Sequence, residues 1–243
     1  MMERTENPAA FNRQVHQMFN AIAPRYDLLN RLLSGGRDRY WRRRAVARLA
    51  PKPGEHFLDI ATGTADVALE IVRQSNTREV QVVAMDFSEP MLELARQKIE
   101  SQDRAGMIQL QTGSAENLPF ADHSFDGTTT AFGVRNFSDV SGSLREMVRV
   151  LKPGGRSVIL EFALPRHPVL NFLYRLYFET LLPRVGRWVS RHPSAYTYLP
   201  ESVAAFPVRE EFKSRMQRAG FDEVTYRELT FGMVILYTGI RRV

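Results

Sequence analysis

The sequence contains no cysteine. This absence excludes disulfide bonds, thiolate metal sites and cysteine nucleophiles, so any chemistry must use oxygen and nitrogen groups. There is also no run of 18 apolar residues, the length that a transmembrane helix needs. Because acids and amides stand where a signal peptide has a basic and then an apolar region, we expect a cytoplasmic protein.

Lysine is scarce, since only four of the 33 basic residues are lysine and the rest are arginine. The formal net charge is +6, and six arginines fall between Arg37 and Arg48. Such an excess indicates an acidic partner, either nucleic acid or anionic lipid. No recognised RNA-binding module is present, so we expect no nucleic-acid partner. A solvated helix face explains the arginines equally well as an anionic-surface patch, and both interpretations stay open.

The length of 243 residues fits one α/β domain. Strand-like runs alternate with amphipathic helical patterns, which is typical of βαβ units and predicts a mostly parallel sheet with helices on both faces. The predicted strands are Phe57–Ile60, Val80–Asp86, Ile108–Thr112, Phe125–Ala131, Ser157–Phe162, Glu223–Leu229 and Met233–Ile240. The predicted helices are Phe11–Ile22, Tyr26–Leu33, Arg39–Leu49, Asp66–Gln74, Pro90–Ser101, Val140–Leu151 and Arg209–Ala219. A three-residue turn between the last two strands predicts an antiparallel hairpin.

We divide this single domain, residues 1–243, into four parts. A helical cap (1–52) precedes the cofactor-binding core (53–163), and a helix and hairpin (209–243) end the chain. Between them lies an apolar, arginine-edged insert (164–208). Its apolar residues are Val169, Leu170, Phe172, Leu173, Leu176, Tyr177, Phe178, Leu181 and Leu182. The basic residues that flank them, beside Trp188, are Arg166, Arg175, Arg184, Arg187 and Arg191. This pattern suits a lipid interface or a channel for an apolar tail, and equally a buried lid or a homodimer helix.

The loop after the first predicted strand indicates a cofactor site. Gly63 lets the backbone approach a ligand closely at the carboxyl edge of the sheet. The loop has a single glycine, so it lacks the G-x-G-x-x-G fingerprint of a pyrophosphate cradle. Asp59, at the end of the strand, would repel a pyrophosphate but can anchor a cationic amino acid such as the methionine part of S-adenosylmethionine.

The tips of the next two strands carry matching signals. Asp86 is placed to bind both hydroxyls of a ribose, Phe87 to flank an adenine, and the polar loop that begins at Gly113 to hydrogen-bond its edge. Either acid alone could simply cap the following helix. Both acids together, followed by the polar loop, favour a nucleotide-like cofactor.

Four stretches resemble the ubiquinone/menaquinone biosynthesis C-methyltransferase family over nearly the whole chain. They are Tyr26–Ser34 with Trp41, Arg149–Gly155 with Glu161, Ala131–Asn136, and Tyr196–Ser202 ending at Phe206-Pro207. The sequence departs from the residues usual in the family at four positions, Leu29, Asp38, Ala65 and Ala131. The resemblance implies a Rossmann-like class I methyltransferase fold with a seven-stranded sheet and an antiparallel C-terminal strand. It also implies S-adenosylmethionine as cofactor, held by Thr64, Asp86, Ser114 and Ala115.

The implied reaction is C-methylation of the ring of a polyprenylated quinol, first of all demethylmenaquinol to menaquinol. The alternatives are the benzoquinol precursor of ubiquinone and another small phenolic substrate. Arg135 and Asn136 follow the tip of the fourth strand. Our hypothesis is that Arg135 stabilises the developing oxyanion or orients a water, while Asn136 and Tyr26 hydrogen-bond the ring oxygens. Alternatively, Arg135 pairs with Asp139 or Glu161, and Tyr26 is a packing residue. The five histidines show no metal-ligand spacing, so we expect no metal site.

Overall fold

The computed structural model describes residues 8–176 and 194–243. The strands are β1 His56–Ile60, β2 Gln81–Asp86, β3 Ile108–Thr112, β4 Phe125–Ala131, β5 Leu151–Phe162, β6 Phe221–Leu229 and β7 Val234–Arg241. The helices are α1 Pro8–Ile22, α2 Tyr26–Leu33, α3 Asp38–Leu49, α4 Asp66–Ser75, α5 Glu89–Ser101, α6 Val140–Val150, α7 Pro168–Leu176, α8 Ser194–Ala205 and α9 Glu210–Ala219. Each predicted strand and helix is therefore present, with ends shifted by a few residues.

The strands form one sheet in the order β3-β2-β1-β4-β5-β7-β6. β1 to β5 are parallel, whereas β7 is antiparallel to both of its neighbours, which confirms the predicted mixed sheet with a reversed C-terminal strand. β7 lies inside the sheet and β6 at the edge. The sequences explain this order, because β7 opens with the buried run Val234–Tyr237, whereas only three of the nine residues of β6 are buried.

Helices cover both faces of the sheet and bury two hydrophobic clusters. One cluster joins α3, α4 and α5 to the sheet through residues such as Trp41, Ile71 and Ile99. The other joins α6 and α9 through residues such as Leu144 and Phe212. This doubly wound arrangement leaves the carboxyl ends of β1 and β4, the strands where the order reverses, open to a ligand.

β5 and β6 each begin two or more residues earlier than predicted, and a bulge accounts for each difference. β5 begins at Leu151, since Leu151 pairs with Phe125 before the register shifts through the predicted Pro-Gly-Gly turn. Gly154 takes the left-handed conformation there, at φ +75°. β6 begins at Phe221, and the left-handed Glu223 interrupts its pairing with β7. Both bulges hide the alternation that identifies a strand in the sequence.

The N-terminal cap, α1 to α3, is fastened to the end of the sheet. Trp41 on α3 is 3% exposed and packs edge-on against Phe132 and Phe162, with ring centroids 6.0 Å away in both pairs. Its indole Nε1 donates a 2.7 Å hydrogen bond to Oγ1 of Thr230, in the turn between β6 and β7. Trp41 is thus a packing residue that ties the cap to the C-terminal hairpin.

Only the two ends of the predicted insert fall in the described ranges, as α7 and α8. Val169 and Phe172 on α7 are exposed. The remaining predicted lipid-contacting residues between 177 and 193 lie outside the described residues. Across residues 8–176 and 194–243, no helix combines the length and the hydropathy required to cross a bilayer.

The packing of β4 on β1 provides a test of the fold. A methyl group at Gly127 would lie 2.7 Å from a ring carbon of Phe57 and 3.0 Å from Leu49, which are both fully buried. We expect Gly127→Ala to lower the free energy of unfolding by about 1–3 kcal/mol through overpacking. Gly106→Ala is the matched control, because nothing lies within 4 Å of the added carbon. Equal urea-unfolding midpoints for the two variants would contradict this packing.

Candidate active site

The loop after β1 brings the cofactor residues together through its backbone. Ala61, Gly63 and Ala65 all take left-handed conformations, with φ between +54° and +62°. These turns aim the amide of Gly63 at Asp86, whose Oδ2 accepts its hydrogen bond at 2.8 Å. A side chain at Gly63 would contact the Tyr26 ring at 3.5 Å, so the cap packs directly on this loop.

Asp59 is buried beneath this loop. Oγ1 of Thr62 donates a 2.5 Å hydrogen bond to its Oδ2, while its Oδ1 has no hydrogen-bond partner among the residues described. Burial raises the pKa of Asp59 to about 7, with the Thr62 hydroxyl opposing the rise. An unsatisfied buried carboxylate oxygen is costly, and a positive charge nearby would offset that cost.

A cavity of about 320 Å³ opens at the tips of β1, β2 and β3. Asp86, Phe87, Ser114 and Ala115, four of the residues predicted to hold the cofactor, line it together. Ser88 N–H donates to Oδ1 of Asp86 at 2.9 Å. Burial raises the pKa of Asp86 above its usual range, against the hydrogen bonds from the Ser88 and Gly63 amides.

The far wall of this cavity comes from α1, which the sequence did not identify as part of a site. His16 lines the cavity, and its Nε2 lies 3.0 Å from the carbonyl oxygen of Phe87. Its ring also packs on the Phe87 ring, with centroids 5.2 Å apart. The hydroxyl of Ser114 donates to Glu116, which also accepts from Ser138 and fixes the polar loop.

Thr64 faces a different environment from the other predicted cofactor residues. Its hydroxyl donates to Oδ1 of Asp27 on α2 at 2.7 Å and accepts from Nζ of Lys98 on α5 at 2.8 Å. Lys98 also donates to Asp27 and to Asp66, both at 2.7 Å. The Thr64 side chain therefore fastens the loop to the cap. Thr64 does not line the first cavity, and its role in binding the cofactor stays a prediction.

A second cavity, of about 70 Å³, lies under the cap and is mostly apolar. Its apolar walls include Met18, Phe19, Ile22, Leu29, Phe132, Phe162 and Leu199. The polar groups that reach it include Tyr26, Arg42, Arg135 and Tyr198. A narrow passage of about 30 Å³ lies between the two cavities, and it shares Asp86 and Asn136 with the first and Tyr26 and Phe132 with the second.

Arg135 is buried and paired. Its Nη1 donates to Oε1 of Glu161 at 2.8 Å and also to the carbonyl of Phe132, while its Nε has no partner in the described part of the chain. The pairing with Glu161, one alternative from the sequence, is therefore present, and Asp139 instead caps α6. Burial alone would lower the pKa of Arg135, but Glu161 and nearby tyrosines raise it, so the guanidinium stays charged.

Asn136 connects the passage to α8. The hydroxyl of Tyr198 donates a 2.9 Å hydrogen bond to Oδ1 of Asn136, and both residues are buried. Tyr198 was not singled out as a site residue, although it stands in one of the motif stretches. Burial raises the pKa of Tyr26, opposed by its hydrogen bond with Asn30 and by Arg42 and Arg135, so Tyr26 remains a hydrogen-bond donor.

This geometry, two cavities joined at the carboxyl edge of a doubly wound sheet, agrees with the comparison to known proteins. A family model described as the ubiE/COQ5 methyltransferase family matches residues 7–241. The chain belongs to this methyltransferase family. It is therefore an enzyme of the methyltransferase class, as the sequence motifs predicted.

Two methyltransferase relatives and one solved methyltransferase structure illustrate the match. The chain is 50% identical to the ubiquinone/menaquinone biosynthesis C-methyltransferase UbiE of Geobacter sulfurreducens, over 93% of this chain and 88% of that one. It is 48% identical to the demethylmenaquinone methyltransferase of Deinococcus radiodurans, over 94% of this chain and 92% of that one. A SAM-dependent methyltransferase structure from Aquifex aeolicus superposes with a TM-score of 0.64 at 17% identity, covering 88% and 97% of the two chains. This last likeness confirms the fold.

The buried carboxyl of Asp59 makes stability depend on pH. Its pKa is raised to about 7 in the folded protein from an ordinary value of 3.8. The folded protein holds a proton that the unfolded chain has lost, so this contribution is complete below about pH 4 and is lost as the pH rises through about 7. We expect the free energy of unfolding of the wild type to fall by about 2–4 kcal/mol as the pH rises through this range, and we expect Asp59→Asn to lack this fall. Denaturant unfolding of the ligand-free protein at several pH values measures it, and parallel curves for both proteins would contradict the assignment.

Proposed function

We propose that this methyltransferase transfers the methyl group of S-adenosylmethionine to a ring carbon of a polyprenylated quinol, most directly converting demethylmenaquinol to menaquinol. The single observation that carries the proposal is the adjacency of the two cavities. A polar, acid-bearing cavity meets a mostly apolar one across a passage lined by Tyr26, Phe132 and Asn136. The names of the two relatives supply the substrate class.

The residues of the first cavity suit a cationic nucleoside cofactor. Asp86, buried in the cavity wall, and the unsatisfied Oδ1 of Asp59, beneath the neighbouring loop and not in the wall, favour positive charge nearby and disfavour a pyrophosphate. Gly113, in the cavity wall, packs closely on Met85, since a Cβ there would lie 2.7 Å from Sδ of Met85. Bound there, S-adenosylmethionine would supply an electrophilic methyl group on a positively charged sulfur.

The residues of the second cavity suit a reduced aromatic ring. The ring carbon can act as nucleophile only when a neighbouring hydroxyl donates electron density, so groups that stabilise a phenolate favour the reaction. Arg135 keeps its charge in this cavity, and its Nε retains an unused N–H. Tyr26, protonated at neutral pH, donates a hydrogen bond to a ring oxygen.

Other residues of this site orient the quinol ring and exclude water. Asn136, which accepts a hydrogen bond from Tyr198, lines the passage and holds the quinol ring against the passage wall. The phenylalanine rings at 132 and 162 are stacked at 4.2 Å and form a flat apolar surface. Together these groups keep water from the path between ring carbon and methyl group, which supports an in-line displacement. The bond from the ring carbon to the methyl group would form as the methyl–sulfur bond breaks, S-adenosylhomocysteine would leave, and the ring carbon would lose its proton to solvent as the ring becomes aromatic again.

The test is methyl transfer with purified protein. We expect radiolabel from S-adenosylmethionine to reach demethylmenaquinol kept reduced by dithionite, and no label to reach the oxidised quinone, whose ring is not nucleophilic. The benzoquinol precursor of ubiquinone is the second substrate to assay, because the Geobacter relative is named for both pathways. Transfer to neither quinol would refute the proposed function, and preference for the benzoquinol would reassign the ring.

The role of Arg135 is best tested with Arg135→Lys. This change keeps the positive charge beside Glu161, whereas Arg135→Ala would leave that fully buried carboxylate unpaired. Because lysine cannot present the unused N–H of Nε, we expect kcat to fall by about tenfold or more, with the dissociation constant of S-adenosylmethionine unchanged. Wild-type turnover in a stably folded Arg135→Lys protein would end this assignment.

A further inference from the structure

A third concave region lies outside the proposed active site. It is a crevice of about 510 Å³ among α2, α3, α4 and α5, and most of its lining side chains are charged. Six cationic side chains and three carboxylates line it, so it carries an excess of positive charge. We call it the arginine crevice, and its defining residues are Arg31, Arg39 and Arg43.

The carboxylates in this region are already used by other cations. Asp66 pairs with Arg42 and Lys98, Asp27 with Lys98, and Glu70 with Arg73. None of the three defining arginines has a carboxylate within 4.0 Å in the described ranges of the chain, and Arg31 and Arg43 reach Asp66 and Glu70 only through longer-range attraction. Unpaired like charges that share one crevice repel each other, and a bound anion relieves that repulsion.

The arginines lie beside exposed apolar side chains on the same two helices. Leu28 on α2 is 53% exposed, and Tyr40 on α3 is 47% exposed. At 100° per residue, Leu28 and Arg31 are 60° apart around α2 and share a face, whereas Arg39 and Tyr40 are consecutive in α3 and 100° apart. Positive charge flanked by leucine and tyrosine matches a bilayer surface, where phosphates lie above acyl chains.

The crevice also adjoins the second cavity of the active site. Arg42 lines both of them, and its guanidinium joins Asp38 at 2.6 Å to Asp66 at 3.0 Å. The α2–α3 pair therefore presents the crevice on one side and the apolar cavity on the other. A substrate with a polyprenyl tail has to enter that cavity from the lipid phase.

We propose that the arginine crevice binds the phosphate of an anionic phospholipid and docks the α2–α3 face of the cap on the membrane. This inference rests on the proposed function, because a polyprenylated substrate is the reason for the protein to contact a bilayer. The position of the contact is argued from charge complementarity. It locates membrane contact on the cap, where the sequence left an anionic-surface patch between Arg37 and Arg48 open, and not on the insert, the other candidate. A phospholipid is favoured over free phosphate because the apolar residues border the crevice.

The experiment is flotation of the full chain with vesicles of phosphatidylglycerol and phosphatidylcholine. We expect the triple variant Arg31→Gln/Arg39→Gln/Arg43→Gln to bind at least about tenfold more weakly, since each arginine near an anionic surface contributes severalfold. The matched control, Arg218→Gln/Arg227→Gln/Arg242→Gln, removes the same charge on the β6 side of the sheet and should bind nearly as the wild type does. Leu28→Ser, which changes no charge, should also weaken binding.

Three outcomes overturn the proposal. One is no binding by the wild type, and the second is equal loss in both triple variants. In the third, inorganic phosphate stabilises the wild type but not the triple variant, and the wild type does not bind vesicles. That result would make the crevice a site for soluble phosphate. Circular dichroism and Tm show whether the variants fold, and Leu28→Ser tests the docking face independently.

A separate assay keeps this proposal distinct from the proposed function. The triple variant should methylate a short-tailed, soluble quinol without vesicles at the wild-type rate, because none of its substitutions lies in the active site. Failure of the wild type in that assay would count against quinol methylation, whereas loss of flotation alone concerns the crevice.

Discussion

The active site depends on the contact between the helical cap and the cofactor loop, and Lys98 is at the centre of that contact. Its ammonium group has three N–H donors, and Asp27 on α2, Thr64 in the loop and Asp66 on α4 take one each. Since Asp27 follows Tyr26 directly, the same bonds fix the tyrosine ring over Gly63. Without this junction the passage between the cavities would lose one of its walls.

The turn after β4 imposes a second constraint. Phe132 takes a left-handed conformation at φ +61°, which is unfavourable for a residue with a large side chain. This conformation turns its carbonyl toward Arg135 and Asn136, which both donate to it, and stacks its ring on Phe162. The buried Arg135–Glu161 pair costs desolvation free energy, so its presence in the core is explained better by positioning than by stability.

The strands, the helices and the residues at the strand tips could be predicted because each is encoded locally, by alternation or by a polar residue that ends an apolar run. What could not be predicted depends on contacts between distant residues. His16 meets Phe87 across 71 positions, and Tyr198 meets Asn136 across 62. The direction of the Thr64 hydroxyl depends on Lys98, which follows 34 residues later. The partner of Arg135 became clear only when the pairing of β4 with β5 set Glu161 beside it.

The hydrogen bond from Trp41 to Thr230 joins two parts of the chain that are 189 residues apart. α3 also packs on β5 and β7, so the contacts of this early helix are complete only after the much later strand β7 has been made. The strands that form the cofactor cavity are all synthesised well before that point. A growing chain can therefore shape the cofactor site early, but it acquires a closed reaction chamber only after the β6–β7 hairpin has been synthesised.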